Sequence, residues 1–196
     1  MSYVGLVVSF VLVNNLVFTY FLGLGLVMDT TRSVRSGLAL GIALTLFLTL
    51  ASVLAQLANA LVLVPLGLGF LRTVLFVLLV VGLVSFSDYA LRSLAPALRK
   101  LLHPNGNVMT AHCATLGMML IVVRSDYTVL ESLVAGCAAG IGIILAVGLT
   151  AAVRQQLERE WVPTALRGAP IAFISAGLIA MALFAFDRAL LINLVG

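Results

Sequence analysis

From Val4 to Val27 the chain runs without one charged side chain. Wound as a helix, a run of about 20 apolar residues crosses the ~30 Å hydrocarbon core of a bilayer. Composition supports that fate for the whole chain. Hydrophobic residues make up 63% and charged residues only 9%, where a soluble domain carries about 25% charged. Mean hydropathy is +1.23. The chain therefore reads as an integral membrane protein, and its long uncharged runs exclude a peripheral helix or a lipid anchor. The net charge of +4 comes from basic residues dispersed among loops. They form no continuous patch, so no nucleic-acid partner is expected. Met1-Ser2-Tyr3 has no basic n-region, and no cleaved signal peptide is expected.

Six apolar segments predict an all-α membrane fold of six transmembrane helices. They run from about Val4 to Val27, Gly37 to Leu57, Thr73 to Phe86, Val108 to Val123, Leu133 to Val153 and Ala169 to Phe186. Leu68 to Leu71 would extend the third. After it, Leu91, Leu94, Leu98 and Leu101 recur at helical spacing beside Arg92, Arg99 and Lys100, as in an interfacial helix. The turn Pro104-Asn105-Gly106-Asn107 then divides a single membrane domain into repeat one, about 1–103, and repeat two, about 104–196. With six spans, eight of the eleven Lys and Arg residues fall on one side. Those left for the other side are Arg72, Arg124 and Arg188. The positive-inside rule makes the richer side cytoplasmic and puts both termini outside.

The halves are related. A shift of 99 residues carries Gly41, Ile42, Leu46, Leu50 and Gln56 onto Gly140, Ile141, Leu145, Leu149 and Gln155, and Asn14 onto Cys113. Three spans per half require the second half to be inverted. The segment Val108 to Val123 has only 16 residues, which as a helix is roughly 24 Å, short of a full span. Polar residues stand at its front, in Thr110-Ala111-His112-Cys113-Ala114-Thr115, and Asn14-Asn15 lie inside the first segment. Inverted repeats with an interrupted first helix in each half imply a site near the midplane, on the pseudo-two-fold axis.

No charged side chain lies in the middle of a span, which argues against a proton pump or a symporter with a carboxylate relay. Asp88 and Asp187 at span ends read as interfacial carboxylates. Cys113 reads either as a small inert hydrophobe, the commoner case, or as a thiolate ligand to iron. His112 is either a hydrogen-bond donor between helices or a group lining a cofactor. Asn14 and Asn15 are either interhelical glue or partners for backbone freed at a helix break. Gly23 and Gly25 permit a bend or a close backbone approach. Cys137 sits in a face of small residues suited to close packing and is assigned no chemistry. No Walker motif, no strand-borne GxGxxG, no HExxH and no CxxC occurs.

Several stretches resemble the small six-helix membrane subunits of the Rnf and Nqr ion-translocating oxidoreductases. They are Val11-Leu12-Val13-Asn14-Asn15 with Phe21-Leu22-Gly23-Leu24, Leu63-Val64-Pro65-Leu66 through Leu71-Arg72-Thr73, Thr110-Ala111-His112-Cys113-Ala114-Thr115-Leu116-Gly117, and Arg167-Gly168 through Ile174-Ser175-Ala176-Gly177-Leu178. They stand in the family's order over essentially the whole chain. The outside termini agree with the A-type member of the Rnf set, whose counterpart in Nqr is the E-type member. The resemblance implies a bacterial inner-membrane subunit of a ferredoxin:NAD oxidoreductase that moves Na⁺ or H⁺. It also implies a sister six-helix subunit of opposite topology, like the E-type member of Rnf, among the other Rnf subunits. By the same resemblance the two are expected to share an intramembrane [2Fe–2S] cluster, to which each would give two cysteines, one from each half.

Under that resemblance Cys113 matches the second-half iron ligand. The first-half ligand follows Phe-Leu-Gly-Leu, and here that position is Gly25, which has no side chain to offer. Cys137 does not match it. Either a substitute ligand completes the cluster (from the partner, from water or from His112), or the cluster is absent and the chain is a scaffold, or the local correspondence is shifted. The expected site is Cys113 on the metal, with Asn14, Asn15, Gly25 and His112 lining the cofactor pocket. Two rivals remain, a stand-alone small secondary transporter and a purely structural subunit.

Overall fold

The computed structural model describes residues 3–23, 34–94, 111–157, 161, 163 and 166–195. Gly25 and the Pro104–Asn107 turn lie outside the described residues, as do Leu98 and Leu101 of the expected interfacial helix. The side chains of His112, Asp88 and Asp187 lie outside them too. Among the described residues the structure is all helical, with no strand.

Six α-helices follow in order: α1 (Tyr3–Val8), α2 (Val34–Ala58), α3 (Arg72–Leu94), α4 (Ala111–Arg124), α5 (Val129–Leu157) and α6 (Ala169–Val195). Two of them end in wider π turns: Ser9–Val13 after α1 and Asn59–Leu63 after α2. The stretches Gly41–Leu63, Gly69–Ser87 and Val129–Leu157 are long and apolar enough to cross a membrane. Tyr3–Val13, Cys113–Arg124 and Ala169–Phe184 are shorter apolar helices. The first segment, expected to run to Val27, stops being helical at Asn14, which takes φ −95° and ψ 44°. Of the fourth segment, the described part forms the short helix α4, Ala111–Arg124.

Among the described residues α2 and α5 make the most extensive helix–helix contact. Gly136 and Gly140 of α5, four apart on one face, allow this approach. A Cβ on Gly136 would lie 2.6 Å from the Cα of Thr49, and one on Gly140 would lie 2.5 Å from the Cα of Thr45. Seen from α2, a Cβ on Gly41 would lie 2.5 Å from Cγ1 of Ile144. The first helices cross over between the halves of the chain. α1 and its π turn lie against α5 and α6, whereas α4 lies against α2 and α3. α4 gives Met118 and Val122 to one apolar core, with Leu6, Phe10, Leu48 and Ile143, and Met119 and Val123 to a second, with Ala51, Leu63, Phe76 and Val80.

The buried hydroxyls answer to their own helices, since an apolar surrounding offers no water. Ser52 donates to the Leu48 carbonyl at 2.7 Å, Thr150 to Ala146 at 2.7 Å and Ser175 to Ile171 at 2.7 Å. α5 starts on a capping box. The Thr128 N–H donates to Glu131 Oε2 at 2.9 Å and the Glu131 N–H returns to Thr128 Oγ1 at 3.3 Å.

Candidate functional site

The break after Val13 is held by the two asparagines. The Asn14 amide nitrogen donates to Ser9 Oγ at 2.8 Å, and its backbone N–H to the Ser9 carbonyl at 2.6 Å. Asn15 is fully buried. Its Nδ2 donates to the Val11 carbonyl at 3.0 Å and to the Gly142 carbonyl of α5 at 2.9 Å. Its Oδ1 accepts the Val17 N–H at 3.0 Å and the Phe18 N–H at 3.4 Å. One side chain thus closes the end of the first half-helix, caps the following turn and anchors both to α5. Backbone freed inside a bilayer needs such partners, because each unsatisfied group there costs several kcal/mol. Gly142 is required at the contact: a Cβ there would lie 2.9 Å from the Phe10 carbonyl oxygen and 3.0 Å from Asn15 Nδ2. Gly142 is not among the residues that stand out in the sequence. Its one signal there is a second glycine two residues from Gly140 inside a long helix, where glycine is unfavourable without a packing reason.

The chain then turns back on itself. Thr19 Oγ1 donates to the Val13 carbonyl at 2.8 Å and the Leu22 N–H to the Leu16 carbonyl at 2.9 Å. Leu16, Val17 and Phe18 are buried, while Tyr20 and Phe21 are exposed. Phe21 takes φ +55° and Gly23 φ +79°, so the bend open to Gly23 in the sequence is the one realised. Leu22 packs into the space left by Gly117 of α4. Beside it the Gly23 N–H donates to Sγ of Cys113 at 3.3 Å.

The structure therefore brings together Asn14, Asn15 and Cys113 through one continuous turn: the asparagines anchor its start and Cys113 receives its end. Cys113 is exposed, in the first turn of α4. A backbone N–H aimed at sulfur is the kind of donor that tunes an iron-bound thiolate. Cys137 is elsewhere, in the α2–α5 seam, with Sγ 3.3 Å from Thr49 Oγ1. Gln56 Oε1 and Asn59 Oδ1, near the end of α2, are buried without a hydrogen-bond partner among the described residues. Neither was expected to take part in the site.

A [2Fe–2S] cluster is held by four ligands, commonly four thiolates. Among the described residues no three His, Cys, Asp or Glu side chains gather as a metal site. The donor set facing Gly23 contains one sulfur. It does not fit the two-cysteine share that the resemblance implies.

Apolar helices long enough to span, a half-helix broken inside the first apolar segment and backbone secured by buried amides together define a polytopic α-helical membrane protein with a helix-break site. The chain belongs to the Rnf-Nqr family: the profile described as "Rnf-Nqr subunit, membrane protein" matches residues 3–190. It is 41% identical over 186 residues to the A-type subunit of the ion-translocating oxidoreductase complex of Edwardsiella ictaluri (strain 93-146), covering 95% of this chain and 96% of the relative. Proteins of the same name from Pseudoalteromonas translucida (strain TAC 125) and Yersinia enterocolitica serotype O:8 / biotype 1B are 39% identical over 185 residues, covering 94% of this chain and 96% of each relative.

Proposed function

We propose that this chain is the A-type membrane subunit of an Rnf-type ion-translocating oxidoreductase in the bacterial inner membrane. It serves there as a non-autonomous part of an enzyme linking ferredoxin:NAD electron transfer to movement of Na⁺ or H⁺. The observation that carries this reading to a place in the chain is the Gly23–Cys113 contact. It joins the broken first segment of one half to the first helix of the other, and it leaves a sulfur at the protein surface.

Two inverted three-helix repeats organise this site. In support, each half's first helix lies against the second and third helices of the other half. The seam pairs Gly41 with Ile144 and Gly140 with Thr45. A 99-residue shift turns one of these contacts into the other, as a two-fold axis between α2 and α5 requires. The distribution of Lys and Arg supports termini on the outer side.

The face carrying Tyr20, Phe21 and Cys113 meets the sister subunit. Irregular backbone at membrane depth is stable only against protein or a water-filled cavity, and Thr19, Tyr20 and Phe21 are exposed on this chain alone. Asn14 and Asn15 fix the geometry of that face, and Cys113 supplies sulfur to a redox site shared there.

The test uses inverted membrane vesicles from cells lacking this chain, with and without complementation. Reduced-ferredoxin-dependent NAD reduction and coupled cation uptake should both vanish with the chain and return with it. Cation uptake by the purified chain in liposomes, with no redox partner present, would instead establish a stand-alone transporter.

A further inference from the structure

We propose that the end of the α2–α3 hairpin binds the headgroup of a membrane phospholipid. Arg72 takes the phosphate, and the amide oxygens of Gln56 and Asn59 take hydrogen-bond donors carried by the headgroup. The proposal is independent of the redox reading above.

Arg72 is the only charged residue between Arg35 and Asp88. It opens α3, near the end of the apolar stretch Gly69–Ser87 that is long enough to cross a membrane. That is the depth of the headgroups, where a long basic side chain meets the interface. The connection that leads to it from α2 is apolar, with Leu61, Val64, Leu66 and Phe70 exposed. Such a surface lies against lipid rather than water. A guanidinium set among these residues needs an anion, because a charge held away from water without a partner is costly. Its Nε is buried with no hydrogen-bond partner among the described residues, while Arg72 as a whole is half-buried and can be reached from outside. The planar fork of arginine suits a phosphate.

Two acceptors stand at the same end of the hairpin. Gln56 and Asn59 are three apart on α2, and their side-chain oxygens are buried with no partner among the described residues. Asn59 is only 7% exposed. Ala55 and Leu63, beside these amides, share one apolar core with Phe76, one turn after Arg72. The Leu68 N–H donates to the Leu63 carbonyl at 3.0 Å, which closes the connection. The end therefore offers one cationic donor and two neutral acceptors. A metal cation would be repelled by Arg72, and inorganic phosphate would leave both oxygens unused. A phosphodiester whose headgroup carries N–H or O–H groups satisfies all three, as phosphatidylethanolamine and phosphatidylglycerol do. Phosphatidylcholine has the phosphate but no donor.

The experiment uses the full-length chain, delipidated in detergent. Its melting temperature and its native mass spectrum are followed as phosphatidylethanolamine, phosphatidylglycerol, phosphatidylcholine or inorganic phosphate is added. Phosphatidylethanolamine or phosphatidylglycerol should raise the melting temperature by a few degrees and stay bound in the spectrum. Phosphatidylcholine should do less, and inorganic phosphate nothing. Arg72→Gln should abolish the shift. Asn59→Leu and Gln56→Leu put apolar groups of similar size in place of unpartnered amides, which folding tolerates. They should keep the protein folded and erase the preference over phosphatidylcholine. The ranking of lipids on the unaltered chain decides the question even if Arg72→Gln does not fold. Equal stabilisation by all three lipids would overturn the proposal. So would a preference unchanged when both amides are replaced, or a full effect from inorganic phosphate. Stabilisation by sodium chloride over choline chloride without lipid, lost in Asn59→Leu, would also overturn it and make the two oxygens a cation site.

Discussion

Asn15 donates a hydrogen bond to the carbonyl of Gly142 at 2.9 Å, joining positions 127 apart in the chain. The two residues need each other. The amide has no other long-range acceptor among the described residues, and the approach is open only because residue 142 has no Cβ.

Asn15→Ala strands the N–H groups of Val17 and Phe18 in an apolar setting. At about 1–3 kcal/mol for each buried group left without a partner, the loss is roughly 2–6 kcal/mol. Asn14→Ala removes only a bond to the Ser9 hydroxyl, worth about 1 kcal/mol. Thermal unfolding in detergent should rank wild type, Asn14→Ala and Asn15→Ala in falling order. Equal losses would show that Asn15 does not hold the break.

Gly142→Ala should destabilise by about 1–3 kcal/mol, the usual range for overpacking, because its Cβ would meet the Phe10 carbonyl. Gly148→Ala lies on the same helix with nothing within 4 Å. It should be neutral or slightly stabilising, since alanine is the better helix former by about 1 kcal/mol. The comparison is made by melting the two variants side by side.

The two reciprocal glycines of the seam should differ in tolerance. At Gly140 a methyl group would meet the backbone of Thr45, which cannot move without the helix. At Gly41 it would meet Cγ1 of Ile144, a side-chain atom that moves only against the stiff χ1 of a β-branched residue in a helix. Gly140→Ala is therefore expected to impair folding or yield, while Gly41→Ala assembles with a loss of about 1–3 kcal/mol. The readout is monodisperse protein recovered per cell.

The two thiols should separate by reactivity. In the isolated chain in detergent, exposed Cys113 should take up a maleimide faster than Cys137, which is partly buried against Thr49. In the assembled complex Cys113 should become protected. Persistent labelling of Cys113 in an intact complex would move the sister subunit to another face.

Much of this arrangement is legible in the amino-acid order. Asn14 and Asn15 stand out because polar side chains in an uncharged run need a reason, and backbone freed at a break supplies one. Cys113 stands out for the same reason, at the head of a segment too short to span. The end of the first helix is not legible, because the residues after Asn15 are as apolar as those before it. What stops the helix is the competition of Asn15 for the N–H groups of Val17 and Phe18. Gly142 escapes notice because its partner is distant in sequence and a lone sequence does not display long-range contacts. The cysteine count, by contrast, reads directly from the chain and already limits what Cys113 can be part of.

The crossing-over of the first helices has a consequence for how the protein is made. α1 leaves the ribosome long before α5, and the acceptor of the Asn15 amide is synthesised 127 residues after Asn15 itself. At about 5–20 residues per second, roughly 6–25 s pass in between. During that interval the first half-helix has no final binding surface. Its broken end must be sheltered by the insertion machinery, by water at the interface or by provisional contacts. The last half to be translated is thus the one that completes the first, and truncation anywhere before Gly142 leaves the opening segment unfinished.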